Sequence, residues 1–128
     1  MTALATIVHE VYEAFGRGDI PAILSRVTPD IDWEFVGSPG LAYAGRRTGP
    51  EGVASFFAAV ASSDKIHVFE PREVIEADSH VTVLGWEQST AIDTNTDFET
   101  DWVHVFTFDG EKVSRWRGFF NTAARYGR

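Results

Sequence analysis

The chain has 128 residues, enough to bury a sizeable core as one domain spanning 1–128 without staples. It has no cysteine, which excludes disulfides and thiol chemistry, and its net charge of −8 argues against nucleic acid and anionic membranes as partners. No apolar run reaches transmembrane length. The N-terminal MTALATIVHEVYEAF carries acidic residues at helical spacing instead of a basic flank and cleavage site, so a soluble, cytoplasmic protein is expected.

Thr2 caps a first predicted helix, with Leu4, Ile7, Val8, Val11 and Phe15 along one stripe, and Gly16 and Gly18 stop it. Asp19 caps a second, shorter helix with Pro21 in its first turn and Ile20, Ile23, Leu24 and Val27 facing inward, and Thr28-Pro29-Asp30 breaks it. Ile31 to Val36 alternates as a strand, with Trp33 and Phe35 on one face and Asp32 and Glu34 on the other. Gly37 to Gly49 reads as loop, and Thr48 and Pro50 open a third helix with Val53, Phe56, Phe57 and Val60 apolar. Lys65 to Ala77 is a long strand that bends at Pro71 or lies at an edge. Turns at Asp78-Ser79 and at Asp93 to Thr96 bound a further strand, His80 to Ala91. Helices followed by an antiparallel meander give an α+β domain.

The chain ends on Glu99 to Asn121, two strands joined by Asp109-Gly110, a strong hairpin signal. Alternation puts Trp102, His104, Phe106 and Phe108 on one face of the first strand, with Asp101, Val103, Val105 and Thr107 on the other. In the second strand Trp116, Gly118 and Phe120 share a face opposite Arg115, Arg117 and Phe119. One side of the hairpin is thus an aromatic wall with a single titratable group, His104.

The motifs FGRGDI (Phe15–Ile20), Thr28-Pro29-Asp30, YAGR with GPEGV (Tyr43–Val53) and the closing hairpin through Phe119-Phe120-Asn121 follow in order along nearly the whole chain. In this the sequence resembles the ketosteroid isomerase and SnoaL-like polyketide cyclase superfamily. The resemblance implies a nuclear-transport-factor-type cone: a curved, mostly antiparallel sheet wrapped around three N-terminal helices, enclosing an apolar pocket and commonly dimeric through its outer face. Fold alone does not fix function, because such scaffolds host isomerases, cyclases, hydrolases and non-enzymes. At the isomerase positions, a helix tyrosine, a late-strand aspartate and a first-strand base, the chain carries Val11, His104 and Phe35. At the cyclase positions it keeps the histidine as His104 and has Gly118 for the aspartate. At the epoxide-hydrolase positions it carries Gln88, Trp86 and Asn121, supported by Trp33 and Phe35. The usual carboxylates are absent, and a slip of one residue in the first strand would turn Glu34 inward in place of Phe35.

Two functional readings follow. In the first, the protein is a small-molecule enzyme of the isomerase/cyclase type, with His104 as acid/base or oxyanion donor on an apolar, ring-containing substrate. In the second, the same pocket binds an apolar small molecule without catalysis. The expected lining is Val11, Phe15, Trp33, Phe35, Phe57, Trp86, Gln88, Trp102, Phe106, Trp116, Gly118, Phe120 and Asn121, with the bare Gly118 making room. The plainer alternatives are a core histidine bonded to a carbonyl or to Gln88, aromatics that fill the cone, and structural roles for Gln88 and Asn121. Arg46 and Arg47 either gate the pocket mouth or pair with nearby carboxylates. Asp93 to Asp97 imitates a calcium loop but has Phe98 and His104 where glycine and glutamate belong, so it reads as a turn. The four histidines are scattered, and no metal or cofactor is expected. A homodimer through Val103, Val105 and Phe119 is expected.

Overall fold

The computed structural model describes residues 3–127; the expected cap at Thr2 lies outside them. In chain order the elements are α1 (Ala3–Arg17), α2 (Ile20–Leu24), β1 (Val27–Val36), β2 (Gly45–Thr48), α3 (Gly49–Ser63), β3 (Asp64–Ala77), β4 (His80–Ala91), β5 (Thr96–Asp109), β6 (Lys112–Phe120) and α4 (Thr122–Arg125). The strands form one curled, six-stranded sheet in the order β2-β1-β6-β5-β4-β3. β3 to β6 make the antiparallel meander, and β1 returns parallel to β6. The helices cover the concave face, giving the expected α+β cone.

Local chemistry sets these boundaries. Asp19 accepts a hydrogen bond from the backbone N–H of Ala22 at the start of α2. Pro71 lies in the edge strand β3, where the pairing with β4 shifts register between Pro71 and Glu73. β1 begins at Val27, earlier than the sequence suggests. Pro29 is accommodated because the pairing with β6 skips from Val27 to Asp32, so no ladder donor is needed there. The stretch expected as loop contains β2, whose Arg46 and Arg47 pair with Glu34 and Trp33 across β1. α4 carries no apolar periodicity and was not expected.

The two sheet faces differ sharply. Inside, Val8, Ile31, Val53, Val81, Val83 and Val113 are fully buried beneath a continuous aromatic cluster. Outside, Arg117 bridges Asp32 at 3.0 Å and Glu34 at 3.1 Å, and Arg46 reaches Asp32 at 3.2 Å. Beside this ionic row lies an apolar one. Val36 pairs with Phe119, Phe119 with Val103, and Val103 with Leu84 across four neighbouring strands. Val36 and Phe119 are 41% and 38% exposed, large values for apolar side chains on a sheet.

Candidate functional site

The cone holds a partly open cavity of about 70 Å³ between α1, α3 and the sheet. His104 sits in its wall, stacked on Trp102 at 4.1 Å between ring centres and tilted against Trp116 at 4.8 Å. From α1, the Tyr12 hydroxyl meets His104 Nδ1 in a 2.8 Å hydrogen bond. Burial pushes the His104 pKa down to about 3, and burial raises Tyr12 well above the usual tyrosine range. Both groups are therefore neutral at physiological pH. His104 Nε2 has no protein partner among the described residues, which leaves it as the ring atom able to meet a ligand.

The other polar end is built from β3, β4 and α4. Glu87 lines the cavity at 6% exposure; one carboxylate oxygen, Oε2, accepts from Ser89 at 2.8 Å, and the other has no partner among the described residues. Burial, reinforced by the nearby Asp64 charge, outweighs the Ser89 hydrogen bond and raises the Glu87 pKa to about 7. Asp64 itself accepts from the Tyr43 hydroxyl at 2.5 Å and from Arg125 Nε at 2.9 Å, so both of its oxygens are engaged. His104 pairs with Val83, four residues before Glu87 on β4. The two groups therefore stand about 13 Å apart along the wall at backbone level. Tyr12, Phe15, Trp33, Phe56, Phe57, Phe69 and Phe106 join them around the cavity. The buried Trp33 Nε1 donor has no hydrogen-bond partner among the described residues. No group of three or more His, Asp or Glu among the described residues is placed to hold a metal ion, and no helix among them is long and apolar enough to cross a membrane.

The SnoaL-like domain family matches residues 8–116, which contain the helix tyrosine, the sheet wall and Glu87. The chain belongs to the SnoaL-like domain family. Solved structures agree on the architecture. An NTF2-like protein from Burkholderia xenovorans LB400 is 29% identical with a TM-score of 0.87, covering 98% of this chain and 94% of that one. An NTF2-like protein from Burkholderia pseudomallei K96243 is 29% identical with a TM-score of 0.86, covering 96% and 94%. TerC, co-crystallised with polyporic acid, is 28% identical with a TM-score of 0.85, covering 98% and 97%. Among curated proteins no relative matches the chain.

In this SnoaL-like domain the structure brings His104, Val11, Phe15, Trp33, Phe35, Phe57, Phe106, Trp116 and Phe120 together around one cavity. Phe35 faces it, while Glu34 lies outside against Arg117. Five expected positions are corrected. Trp86 and Gln88 lie on the outer face of β4, because Val81, Val83 and Gly85 point inward and carry Glu87 with them; Trp86 stacks under the Arg72 guanidinium instead. Trp102 is buried behind His104 and does not line the cavity. Gly118 opens no space, since the Trp116 ring covers it. Asn121 is exposed and accepts from Ala123 N–H as the cap of α4.

Val11, at the isomerase tyrosine position, lines the cavity; its neighbour Tyr12, not singled out from the sequence, lines it too and bonds His104. Its signal was present: Val8, Tyr12 and Phe15 recur at helical spacing, so the pocket stripe of α1 includes residue 12. Glu87 was missed with the parity of β4, although Val81 and Val83 alternate into the core. Asp64, Tyr43 and Arg125 come from separate elements, and no local pattern joins them. Arg47 is occupied by Ser55 and the carbonyls of Tyr43 and Ala42, and neither it nor Arg46 lines the cavity.

Proposed function

We propose that this SnoaL-like domain is a small-molecule enzyme of the isomerase/cyclase type, acting on a ring-containing carbonyl compound held in the aromatic cavity. The observation that carries this reading is the buried hydrogen bond between Tyr12 and His104. With Tyr12 donating to Nδ1, the neutral imidazole carries its hydrogen on Nε2 and offers it to a ligand oxygen. Such a donor, fixed in a water-poor apolar site, stabilises negative charge that develops on a carbonyl oxygen. An imidazole held neutral to about pH 3 is no proton source at physiological pH, so its role here is oxyanion donor rather than general acid. The cavity is about half the size of one that encloses benzene, roughly 150 Å³. A single ring is therefore larger than the cavity as it stands, and half-buried side chains of its lining, Phe15 and Phe57 among them, shift to admit it.

The supporting outer-surface reading is a cytoplasmic homodimer joined through the sheet face that carries Val103, Val105 and Phe119, in which Phe119 is 38% exposed. The ligand is apolar apart from its carbonyl.

The activity is tested with 3-methylcyclohex-2-enone, a single-ring carbonyl compound, by following proton–deuterium exchange in D2O by NMR. Wild type is expected to accelerate exchange, and His104→Ala to slow it by about 10²-fold, the cost of one oxyanion donor. Binding of the enone with no exchange above buffer would leave a non-catalytic binding pocket as the reading.

A further inference from the structure

We infer that the cavity takes a second class of ligand, small alkylammonium ions, with the nitrogen on Glu87 Oε1 and the alkyl groups among Phe35, Tyr43, Phe56 and Phe120. This goes beyond the carbonyl-binding reading and does not depend on it, because it uses the other polar end of the cavity. Glu87 offers an unused acceptor there. It is 6% exposed and lines the cavity, Ser89 anchors Oε2 at 2.8 Å, and Oε1 has no partner among the described residues.

The charges at this end do not balance. Asp64 faces Glu87 from β3, Ser89 lies beside it on β4, and Tyr43 adds a neutral hydroxyl from the loop before β2. Arg125 of α4 is directed at Asp64, with the exposed Asp93 3.5 Å from it. On β5, Thr100 is the register partner of Glu87, and its hydroxyl is turned to the Asp101 carbonyl. Tyr12 of α1 and His104 of β5, at the opposite end, are both neutral. Arg47 of β2 lies 5.9 Å from the Phe56 ring centre but does not line the cavity. An ionised Glu87 therefore meets no cation among the described residues, and a ligand cation supplies what is missing.

The rings at this end make a box. Tyr43 stands 5.1 Å from Phe35 and 6.2 Å from both Phe56 and Phe120, at interplanar angles of 75°, 90° and 80°. At the other end His104 lies on Trp102 at 22°, a flat surface that suits a planar ring. Rings set at right angles suit a small rounded ion, because positive charge is drawn to ring faces. A cavity of about 70 Å³, half the roughly 150 Å³ that encloses benzene, limits that ion to a few carbon atoms.

Burial favours such a ligand. Pairing two charges usually gains little because both must leave water, but Glu87 is already withdrawn from water in the folded chain. Only the ammonium is dehydrated on binding, and the ring faces offset part of that cost. Burial also raises the Glu87 pKa to about 7, so below that value a proton occupies the group that the ammonium needs as a carboxylate. Binding of the cation then breaks the Glu87 O–H bond, releases its proton to solvent, and leaves the carboxylate accepting from the ammonium N–H. Like a lysine side chain, an alkylammonium stays protonated well above this range. Affinity therefore rises with pH through about 7, by as much as about tenfold per unit below it.

The test is titration of the whole chain, by calorimetry and NMR, with isopropylammonium chloride and with 2-propanol, which has the same carbon skeleton and no charge. At about pH 8 wild type should bind the ammonium at least about tenfold tighter than the alcohol, and this preference should fade toward about pH 5.5. Magnetisation should pass from the isopropyl methyls to the ring protons of Tyr43 and Phe56. Glu87→Gln keeps the shape and removes the charge. It should weaken ammonium binding by about tenfold or more and abolish its pH dependence. The 15N shift of His104 Nδ1 should stay in place in that variant, which shows that the cavity is still formed. An ammonium bound no tighter than the alcohol at about pH 8, or bound equally well by Glu87→Gln, would overturn the assignment. Neither result bears on the enone exchange that tests Tyr12 and His104.

Discussion

The Trp116 ring lies directly over Gly118: a Cβ at residue 118 would stand 2.2 Å from Trp116 Cη2. The same relationship holds between Trp102 and Gly85, where a Cβ would stand 2.2 Å from Cζ2. Neither ring is free to move away. Trp116 is stacked on Trp33 at 4.2 Å, and Trp102 is held between His104 at 4.1 Å and Phe69 at 4.6 Å. Gly118→Ala and Gly85→Ala should each lower unfolding free energy by about 1–3 kcal/mol, the usual cost of overpacking. Gly118→Asp should cost more, since it adds a buried charge. Urea denaturation checks this, and an alanine variant as stable as wild type would show that the rings yield.

How much of this was legible beforehand depended on whether the signal was local. The hairpin through Asp109-Gly110 was, because alternation fixes which residues share a face; Trp102, His104 and Phe106 are all buried on the inner side. The Asp19 cap of α2 and the Pro71 irregularity were legible for the same reason. The parity of β4 was not. Trp86 is large and aromatic, so hydropathy favours it inside over Glu87, yet Gly85 must face inward to leave room for Trp102. A carboxyl group buried in a cavity wall reads as a surface residue until its surroundings are known. Gly118 misled differently: a missing side chain signals space, but a neighbour two residues away can fill it.

Tyr12→Phe removes the partner of a buried imidazole nitrogen and changes little else in shape. Leaving Nδ1 unsatisfied should cost about 1–3 kcal/mol in unfolding free energy. The 15N shift of His104 Nδ1 should move at the same time, because its hydrogen bond is gone. An unchanged Nδ1 resonance would mean that the two groups are not bonded in solution.

The two buried titrating groups oppose each other in pH dependence. His104 falls from its ordinary 6.5 to about 3, so between those values the unfolded chain binds the extra proton and stability from this group rises with pH. Glu87 rises from 4.5 to about 7, so between those values the folded chain binds the extra proton and stability from this group falls with pH. From about pH 4.5 to 6.5 the two should nearly cancel. Glu87→Gln removes one side of the balance. Its unfolding free energy, minus that of wild type, should rise by about 1.4 kcal/mol per pH unit between 4.5 and 7. A difference that stays flat with pH would contradict a raised Glu87 pKa.

α4 is only four residues long, yet it delivers Arg125 to Asp64 with the two side chains 4% and 3% exposed. Truncating one member of a buried ion pair strands the other charge. Arg125→Leu should therefore cost about 3–5 kcal/mol. Asn121→Ala removes only the cap and should cost about 1 kcal/mol. Denaturation of the two variants should show this order; equal, small losses would mean that Asp64 is solvated when Arg125 is gone.

The outer face gives the last prediction. Phe119 is register partner to both Val36 and Val103, and Leu84 extends the row, so apolar side chains run across four strands beside a row of ion-paired Arg117, Asp32 and Glu34. A continuous apolar row on an open sheet face is covered most economically by its own copy, because a two-fold axis lets one row meet the same row. Phe119→Glu places a charge at the centre of the row and, through the symmetry, repels its copy. Wild type should sediment as a dimer at micromolar concentration and Phe119→Glu as a monomer, with the enone exchange rate per chain little changed because residue 119 points away from the cavity. A wild type that sediments as a monomer would remove the dimer altogether. A variant that stays dimeric would place the interface on another face.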